Sequence, residues 1–300
     1  MNSIQTVLIL GSGTMGLQIG LQCAAYGFNV TIYDVSEHAL EKVENRLNKL
    51  AQVLAGRNRI SLEQAAASPG RIRFTTDPGA AAKNADLISE SIPEDPKLKQ
   101  DVFAQFNAIC PEHTIFTTNS STLVPSMIAG ATGRPDRFAA LHFHDLAVTN
   151  IVDIMPHPGT SAQTLDDIRS FCQAIGQFPI ELKKEQSGYV FNTMLVQLLQ
   201  SALTLAANEV ASVQDIDRAW MGIMKTTAGP FGIIDSIGLD TVYKATEYWA
   251  GITQKPQSHA NAALLKKRVE KGELGVKTGK GFYQYPKPDF LNPKFMVGIR

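Results

Sequence analysis

Val7-Leu8-Ile9-Leu10-Gly11-Ser12-Gly13-Thr14-Met15-Gly16 decides how this chain folds. The apolar run reads as a buried strand, the glycines at G-x-G-x-x-G spacing as a turn, and Leu17 to Tyr26 as the helix that the turn opens. The first glycine permits the tight turn, and the second lets a pyrophosphate approach the backbone. The third lets helix and strand pack closely, with the helix N-terminus facing the phosphates. A second run, Val30-Thr31-Ile32-Tyr33, leads to Asp34, about 20 residues beyond the turn, where a carboxylate can bind the adenosine ribose hydroxyls. The expected ligand is a dinucleotide held by Gly11, Ser12, Gly13, Thr14, Met15, Gly16 and Asp34, and the acid favours NAD over NADP.

Further apolar runs recur between helical stretches: Arg71 to Thr75, Asp86 to Ile92, Thr114 to Thr118, Phe138 to Phe143, Ile151 to Met155 and Phe178 to Leu182. That alternation predicts an α/β fold with a Rossmann-type, doubly wound, mainly parallel sheet. Leu98, Val102, Phe103, Phe106 and Ile109 share one helical face. Residues 37–66 read as two charged helices around the Gly56-Arg57-Asn58-Arg59 turn, inserted after the second strand. Near residue 185 the strand signals fade. Residues 1–185 are therefore expected to form the nucleotide-binding domain, and 186–300 an all-helical C-terminal domain. Val190 to Leu205 carries apolar residues on more than one face, which predicts burial on several sides, against other helices or a second subunit. Two turn-rich motifs close the chain, Gly229-Pro230-Phe231-Gly232 and Lys277-Thr278-Gly279-Lys280-Gly281-Phe282-Tyr283.

The 28 basic and 28 acidic residues among 300 give no net field toward nucleic acid or an anionic membrane. The expected partners are a small-molecule substrate and other copies of the chain. Cys23, Cys110 and Cys172 lack paired or zinc-type spacing and read as reduced core residues. The first strand begins within about five residues of the N-terminus, so no signal peptide is expected, nor an uncharged apolar run of the roughly 18 residues that span a membrane. The default location is the cytoplasm.

Open α/β sheets bind ligands beyond the carboxyl ends of their strands, and three strand ends here carry reactive polar groups. Asn119-Ser120-Ser121-Thr122 follows one run, His142-Phe143-His144-Asp145 closes another, and Asp153 lies in the next. His142 can take a proton from a substrate hydroxyl while hydride leaves the adjacent carbon, with Asp153 orienting the ring. Ser121 and Asn192 can hydrogen-bond the developing carbonyl. Although histidines and aspartates cluster between residues 142 and 157, no recognised ligand spacing appears, and metal binding is not expected.

At these residues the chain resembles the NAD-dependent L-3-hydroxyacyl-CoA dehydrogenase family. The resemblance runs through GSGTMG with Asp34, Glu94-Asp95-Pro96-Lys97-Leu98-Lys99, Thr118 to Leu123, Asp136 to Phe143, Ser187 to Asn192, Gly229-Pro230-Phe231 with Asp235, Gly238-Leu239-Asp240-Thr241, and the closing KTGKGFYQY. It implies a helical dimerisation domain after the Rossmann domain, and oxidation of a 3-hydroxyacyl thioester by NAD in the cleft between the two. It places the catalytic histidine on His142, the substrate-contacting serine on Ser121 and the asparagine on Asn192. Nucleotide contacts fall on Glu94 and Lys99, and the lysine near the nicotinamide on Lys277. The family glutamate falls on Asp153 after a one-residue deletion. Aspartate is one methylene shorter, so a dyad requires the backbone to come closer. The family's aromatic-Asn-Pro after the histidine is replaced by His144-Asp145-Leu146. The lysine cluster that holds CoA in the family is missing from Arg46 to Leu54, leaving Arg57 and Arg59 at the helical turn to replace it. Met155 to Thr160 is similar to relatives that oxidise free hydroxy acids, the gulonate dehydrogenase and lens-crystallin branch.

Overall fold

The computed structural model describes residues 4–297. In chain order the first compact unit, residues 1–190, comprises β1 (Thr6–Leu10), α1 (Thr14–Ala25), β2 (Asn29–Tyr33), α2 (Glu37–Leu40), α3 (Val43–Gly56), α4 (Leu62–Ala67), β3 (Ile72–Thr75), α5 (Pro78–Ala82), β4 (Leu87–Glu90), α6 (Pro96–Asn107), β5 (Ile115–Thr118), α7 (Ser126–Ala129), β6 (Phe138–Phe143), β7 (Ile151–Met155), α8 (Ala162–Ala174) and β8 (Phe178–Glu181). The second unit, residues 191–300, holds α9 (Tyr189–Ala207), which starts at the end of the first, then α10 (Val213–Met224), α11 (Pro230–Ile237), α12 (Leu239–Thr253) and α13 (Pro256–Val269).

All eight strands join one sheet in the order β3-β2-β1-β4-β5-β6-β7-β8. Every neighbouring pair is parallel except β6 and β7. The order reverses direction at β1 and β4, which opens a crevice beyond their carboxyl ends. Residues 144–150 are too few for a crossover helix, so β7 must return antiparallel to β6. Strands β4, β5 and β6 are buried at every position because helices cover both faces, and this is why they read as continuous apolar runs. One core layer packs β1 and β2 against α1, α3 and α8 through Ile9, Ile19, Leu54 and Phe171. The opposite layer packs Leu8, Phe103, Phe106, Phe116 and Phe138. The helical insertion is present as α2, α3 and α4.

Two details depart from the sequence reading. Leu98 and Ile109 are each 40% exposed, and α6 buries Lys99, Phe103 and Phe106 instead. Its inward face is therefore rotated from the all-apolar stripe, because it carries a lysine with a buried partner. The second concerns α9, whose nineteen residues contain no charge and meet the length and composition of a membrane span, contrary to expectation. Leu199, Ala202 and Leu203 of this helix are buried in the second unit's core, with Phe231, Ile234 and Leu265, and Leu195 and Ala206 pack against it, while Phe191, Met194 and Val196 are exposed in the single chain.

The two turn-rich motifs of the second unit fold around buried carboxylates. Asp217, on α10, accepts from Phe231 N (2.8 Å), Gly232 N (3.0 Å) and the Tyr283 hydroxyl (2.9 Å), capping α11 from outside its own sequence. Asp235 accepts from Phe282 N, Tyr283 N and the Tyr285 hydroxyl. A Cβ on Gly281 would lie 2.1 Å from Asp235 Oδ1, so the approach needs glycine there. Burial raises both carboxyls above the ordinary aspartate value despite these donors.

A raised folded-state pKa means the native state holds the proton more tightly, so stability should increase as pH falls from the raised value toward the unfolded value of about 3.9. Urea titrations of the wild type and Asp235→Asn between neutral and mildly acidic pH should show the wild type gaining on the variant as pH drops. Asp235→Ala, which strands three donors, should cost about 3–5 kcal/mol at neutral pH.

Candidate active site

The glycine turn leaves β1 at the sheet's reversal point. Gly11 has φ +101°, and a Cβ there would sit 2.7 Å from the Ser91 carbonyl oxygen at the end of β4. A Cβ on Gly16 would lie 2.0 Å from Gly11 O, so close packing of strand and helix accounts for both glycines. Gly13 differs: nothing approaches its Cβ position closer than Ser91 O at 4.0 Å. The protein's own packing leaves that space open. Gly13 begins α1 without any side-chain cap, so the first-turn amides face the opening, and the residues fit a bound pyrophosphate. Asp34 Oδ2 accepts from Ser12 N (2.8 Å) and Ser12 Oγ (2.6 Å), while Oδ1 accepts from Ser36 N (3.0 Å). Burial alone would raise this carboxyl, but those donors bring it below its ordinary value. It is therefore a fixed anion at the ribose end of the turn. Arg46 Nη1 donates to Ser12 O at 2.9 Å, bracing the turn from α3.

The imidazole of His142 stands at the end of β6, and its register partner on β7 is Asp153. Residues directly opposite in an antiparallel pair have Cβ atoms about 4.5–5.5 Å apart, which supplies the closer backbone that a short carboxylate requires. His142 Nδ1 lies 3.3 Å from Asp153 Oδ2, and His142 Nε2 lies 3.2 Å from Ser121 Oγ. With Nδ1–H donating to the carboxylate, Nε2 is left as the basic nitrogen. His144, one residue beyond the strand, also places Nε2 on Asp153 Oδ2, at 2.9 Å. Asp153 is 1% exposed. Burial would raise its carboxyl, yet the hydrogen bonds from both imidazoles hold it below the ordinary value.

The serine loop is fastened from several sides. Asn119 Oδ1 accepts from Phe143 N (2.7 Å), tying the end of β5 to the end of β6. Glu94 accepts from Ser120 Oγ and from both the amide and hydroxyl of Thr122. These donors overcome the rise that burial imposes, leaving the Glu94 carboxyl below its ordinary value. Lys99, 1% exposed, pairs with Glu90 at 2.6 Å and Glu94 at 3.3 Å. Glu90 is fully buried and also accepts from Thr118 Oγ1 and Ile92 N. The pair expected to contact nucleotide, Glu94 and Lys99, thus stands in an ion network at the ends of β4 and β5.

The structure brings Ser121, His142 and Asp153 together within the first unit. Asn192 is half-buried in the opening turn of α9, and Lys277 pairs with Asp240; both belong to the second unit. Sequence reasoning gave no role to Glu90, His144 or Tyr189. Tyr189 lies flat on His142, with ring centroids 4.4 Å apart and an interplanar angle of 11°, and its hydroxyl donates to Ser120 O at 2.7 Å. It adopts φ +52°, an uncommon left-handed conformation for an aromatic residue, held here by burial and that hydrogen bond. The Gly188-Tyr189 step at a helix start was the available signal.

A glycine turn that fits a pyrophosphate, a fixed carboxylate beside it and an oriented imidazole beyond the same sheet edge are the arrangement of an NAD-dependent dehydrogenase. The model of the 3-hydroxyacyl-CoA dehydrogenase NAD-binding domain matches residues 6–186, and that of the C-terminal domain matches residues 188–285. The chain belongs to the 3-hydroxyacyl-CoA dehydrogenase family. Human mitochondrial hydroxyacyl-coenzyme A dehydrogenase is 33% identical over 288 residues, covering 94% of this chain and 91% of the human protein. A solved diketoreductase, described as acting on dicarbonyl compounds, shares 39% identity with a TM-score of 0.88 over 95% of this chain and 100% of its own. The (S)-3-hydroxybutyryl-CoA dehydrogenase of Ralstonia eutropha superimposes with a TM-score of 0.83 at 30% identity, over 95% of this chain and 100% of that one.

Lys99→Met would leave Glu90 charged and buried without its cation, so denaturant unfolding should show a loss of about 3–5 kcal/mol. The double variant Glu90→Gln/Lys99→Met should recover a large part of it.

Proposed function

We propose that this protein interconverts a short-chain L-3-hydroxyacyl thioester of CoA and the corresponding 3-ketoacyl thioester, with His142 as the general base. The observation that carries the reading is the His142 imidazole, set between Ser121 Oγ and the Asp153 carboxylate in a member of this family. Bound NAD supplies the hydride acceptor, its pyrophosphate held at Gly11 to Gly16 and its ribose at Asp34. In the oxidative direction His142 Nε2 accepts the proton of the substrate 3-hydroxyl as the adjacent C–H bond delivers its hydride. The Asp153 carboxylate stabilises the resulting imidazolium through Nδ1–H and fixes the tautomer. Ser121 hydroxyl, displaced from Nε2 by substrate, is placed to donate to the oxygen that becomes the carbonyl. Asn192 is assigned the second contact to that carbonyl on the family resemblance, and Lys277 the neighbourhood of the nicotinamide. The partner that covers the exposed Phe191, Met194, Tyr248 and Trp249 of the second unit is proposed to be a second copy of the chain.

A second reading, oxidation of a free hydroxy acid or reduction of a dicarbonyl compound, has its own support. Arg57 Nη1 donates to Ala147 O (3.2 Å) and Arg59 Nε to Leu146 O (3.0 Å), so each guanidinium spends one donor on the loop after His142. The 39% identical diketoreductase points the same way.

NADH consumption with acetoacetyl-CoA, and separately with free 3-keto acids and diketo esters, decides between them. Reduction of the thioester alone is expected, and reduction of the free compounds alone overturns the CoA reading. His142→Ala should lower turnover by about 10²-fold or more, with NADH affinity nearly unchanged by fluorescence titration. A small effect on turnover would remove His142 from the role of base.

A further inference from the structure

We infer that His142, His144 and Asp153 form a site for a divalent cation of the zinc class, whose occupancy takes the catalytic imidazole out of use. The inhibitory half of this inference rests on His142 being the base, whereas the binding half stands on geometry alone. His142 lies near the end of β6 and His144 one residue beyond it, Asp153 is directly opposite His142 on β7, and both rings reach the same Asp153 oxygen. The sheet therefore presents two imidazoles and a carboxylate on one side. Their ligand atoms lie within 4.8 Å of one another, and two of the contacts converge on one oxygen, at 3.3 and 2.9 Å.

Donors bound to zinc at about 2.0–2.1 Å in a tetrahedron stand roughly 3.3 Å apart, which is the present His142–Asp153 separation. The widest gap has to narrow, and His144 is the least enclosed of the three, its side chain 16% exposed against 5% for His142 and 1% for Asp153. Three protein ligands leave a fourth position for water, as at open zinc sites. Two neutral imidazoles and one carboxylate leave the occupied site with net charge +1, a smaller desolvation burden than that of an unliganded dication.

Capture follows from the tautomer. In the metal-free protein the His142 proton sits on Nδ1 and points at Asp153. His144 ligates through the Nε2 that otherwise donates to Asp153, so its proton moves to its own Nδ1; ligation of His142 through Nδ1 likewise needs that lone pair, so its proton transfers to Nε2, where it donates to Ser121 Oγ, 3.2 Å away. No proton is gained or lost overall, and the partner that a metal-bound imidazole needs on its second nitrogen is already present. Nε2 then carries a proton and cannot take one from substrate. The hard cation magnesium, which prefers oxygen ligands and octahedral geometry, does not fit this donor set.

The test uses full-length protein freed of metal with a chelator. Calorimetric titration with zinc chloride should show one equivalent binding at micromolar or tighter affinity, magnesium chloride should show none, and cobalt(II) should give the visible absorption of a four-coordinate ion. Zinc should abolish NADH-dependent turnover at matching concentrations, with recovery on adding chelator. His144→Phe should weaken zinc binding at least about 10-fold, and the concentration of zinc needed for inhibition should rise in parallel. If that variant folds poorly by circular dichroism, His144→Asn replaces it. Equal zinc affinity in the His144 variant, absence of a stoichiometric site, or one bound equivalent with turnover intact each overturns the inference. If the metal-free enzyme has no turnover with any carbonyl substrate, the functional reading fails instead, and calorimetry still decides the site.

Discussion

The reversal between β6 and β7 is the constraint on which the catalytic arrangement depends. In a sheet whose other neighbours all run parallel, one antiparallel pair sets His142 against Asp153 across a single ladder step. A longer acid is unnecessary at that distance, because the ladder step already brings the Asp153 carboxylate to 3.3 Å from His142 Nδ1. The register carries this by itself, because a slip of one residue on either strand would turn one member of the pair to the opposite face. What surrounds the pair holds it still: Asn119 stitches the end of β5 to that of β6, Glu94 grips the serine loop, and Tyr189 closes the open face of the imidazole.

Much of the first unit was legible because parallel strands covered on both faces leave continuous apolar runs, and each expected run matches an observed strand to within two residues at either end. The glycine turn was legible for a related reason, since the packing that forbids Cβ atoms at Gly11 and Gly16 is local to one strand–helix step. Lys99 was not legible as a core residue. Hydrophobic periodicity discards a lysine, and its partner Glu90 looks like any acid at a strand end. His144 and Tyr189 escaped for another reason, in that their roles arise from contacts with residues on other elements. The sequence reading offered Arg57 and Arg59 as substitutes for missing lysines; one donor of each meets the carbonyl of Ala147 or Leu146, a contact between distant segments that no sequence pattern announces.

In the second unit the family resemblance identified motifs without saying what they do. Asp217 and Asp235 answer part of that question: each gathers backbone amides and a tyrosine hydroxyl, so the glycines and aromatics around residues 229–232 and 281–285 serve as walls of two carboxylate bays. Motif strength in that unit therefore reports folding as much as chemistry. The long helix α9 teaches the opposite lesson. Its apolar residues on several faces suggested burial all round, but the unit's own core takes up only part of that surface.

The bridge from Arg57 and Arg59 to residues 146 and 147 has a consequence for how such a protein diversifies. The turn of the helical insertion and the loop that follows His142 are tied together, although about 90 positions of sequence separate them. A lineage that reshaped the insertion would disturb the segment leading from His142 to Asp153 in the same step. The two regions are thus bound to drift together, and chains that differ in one should differ in the other.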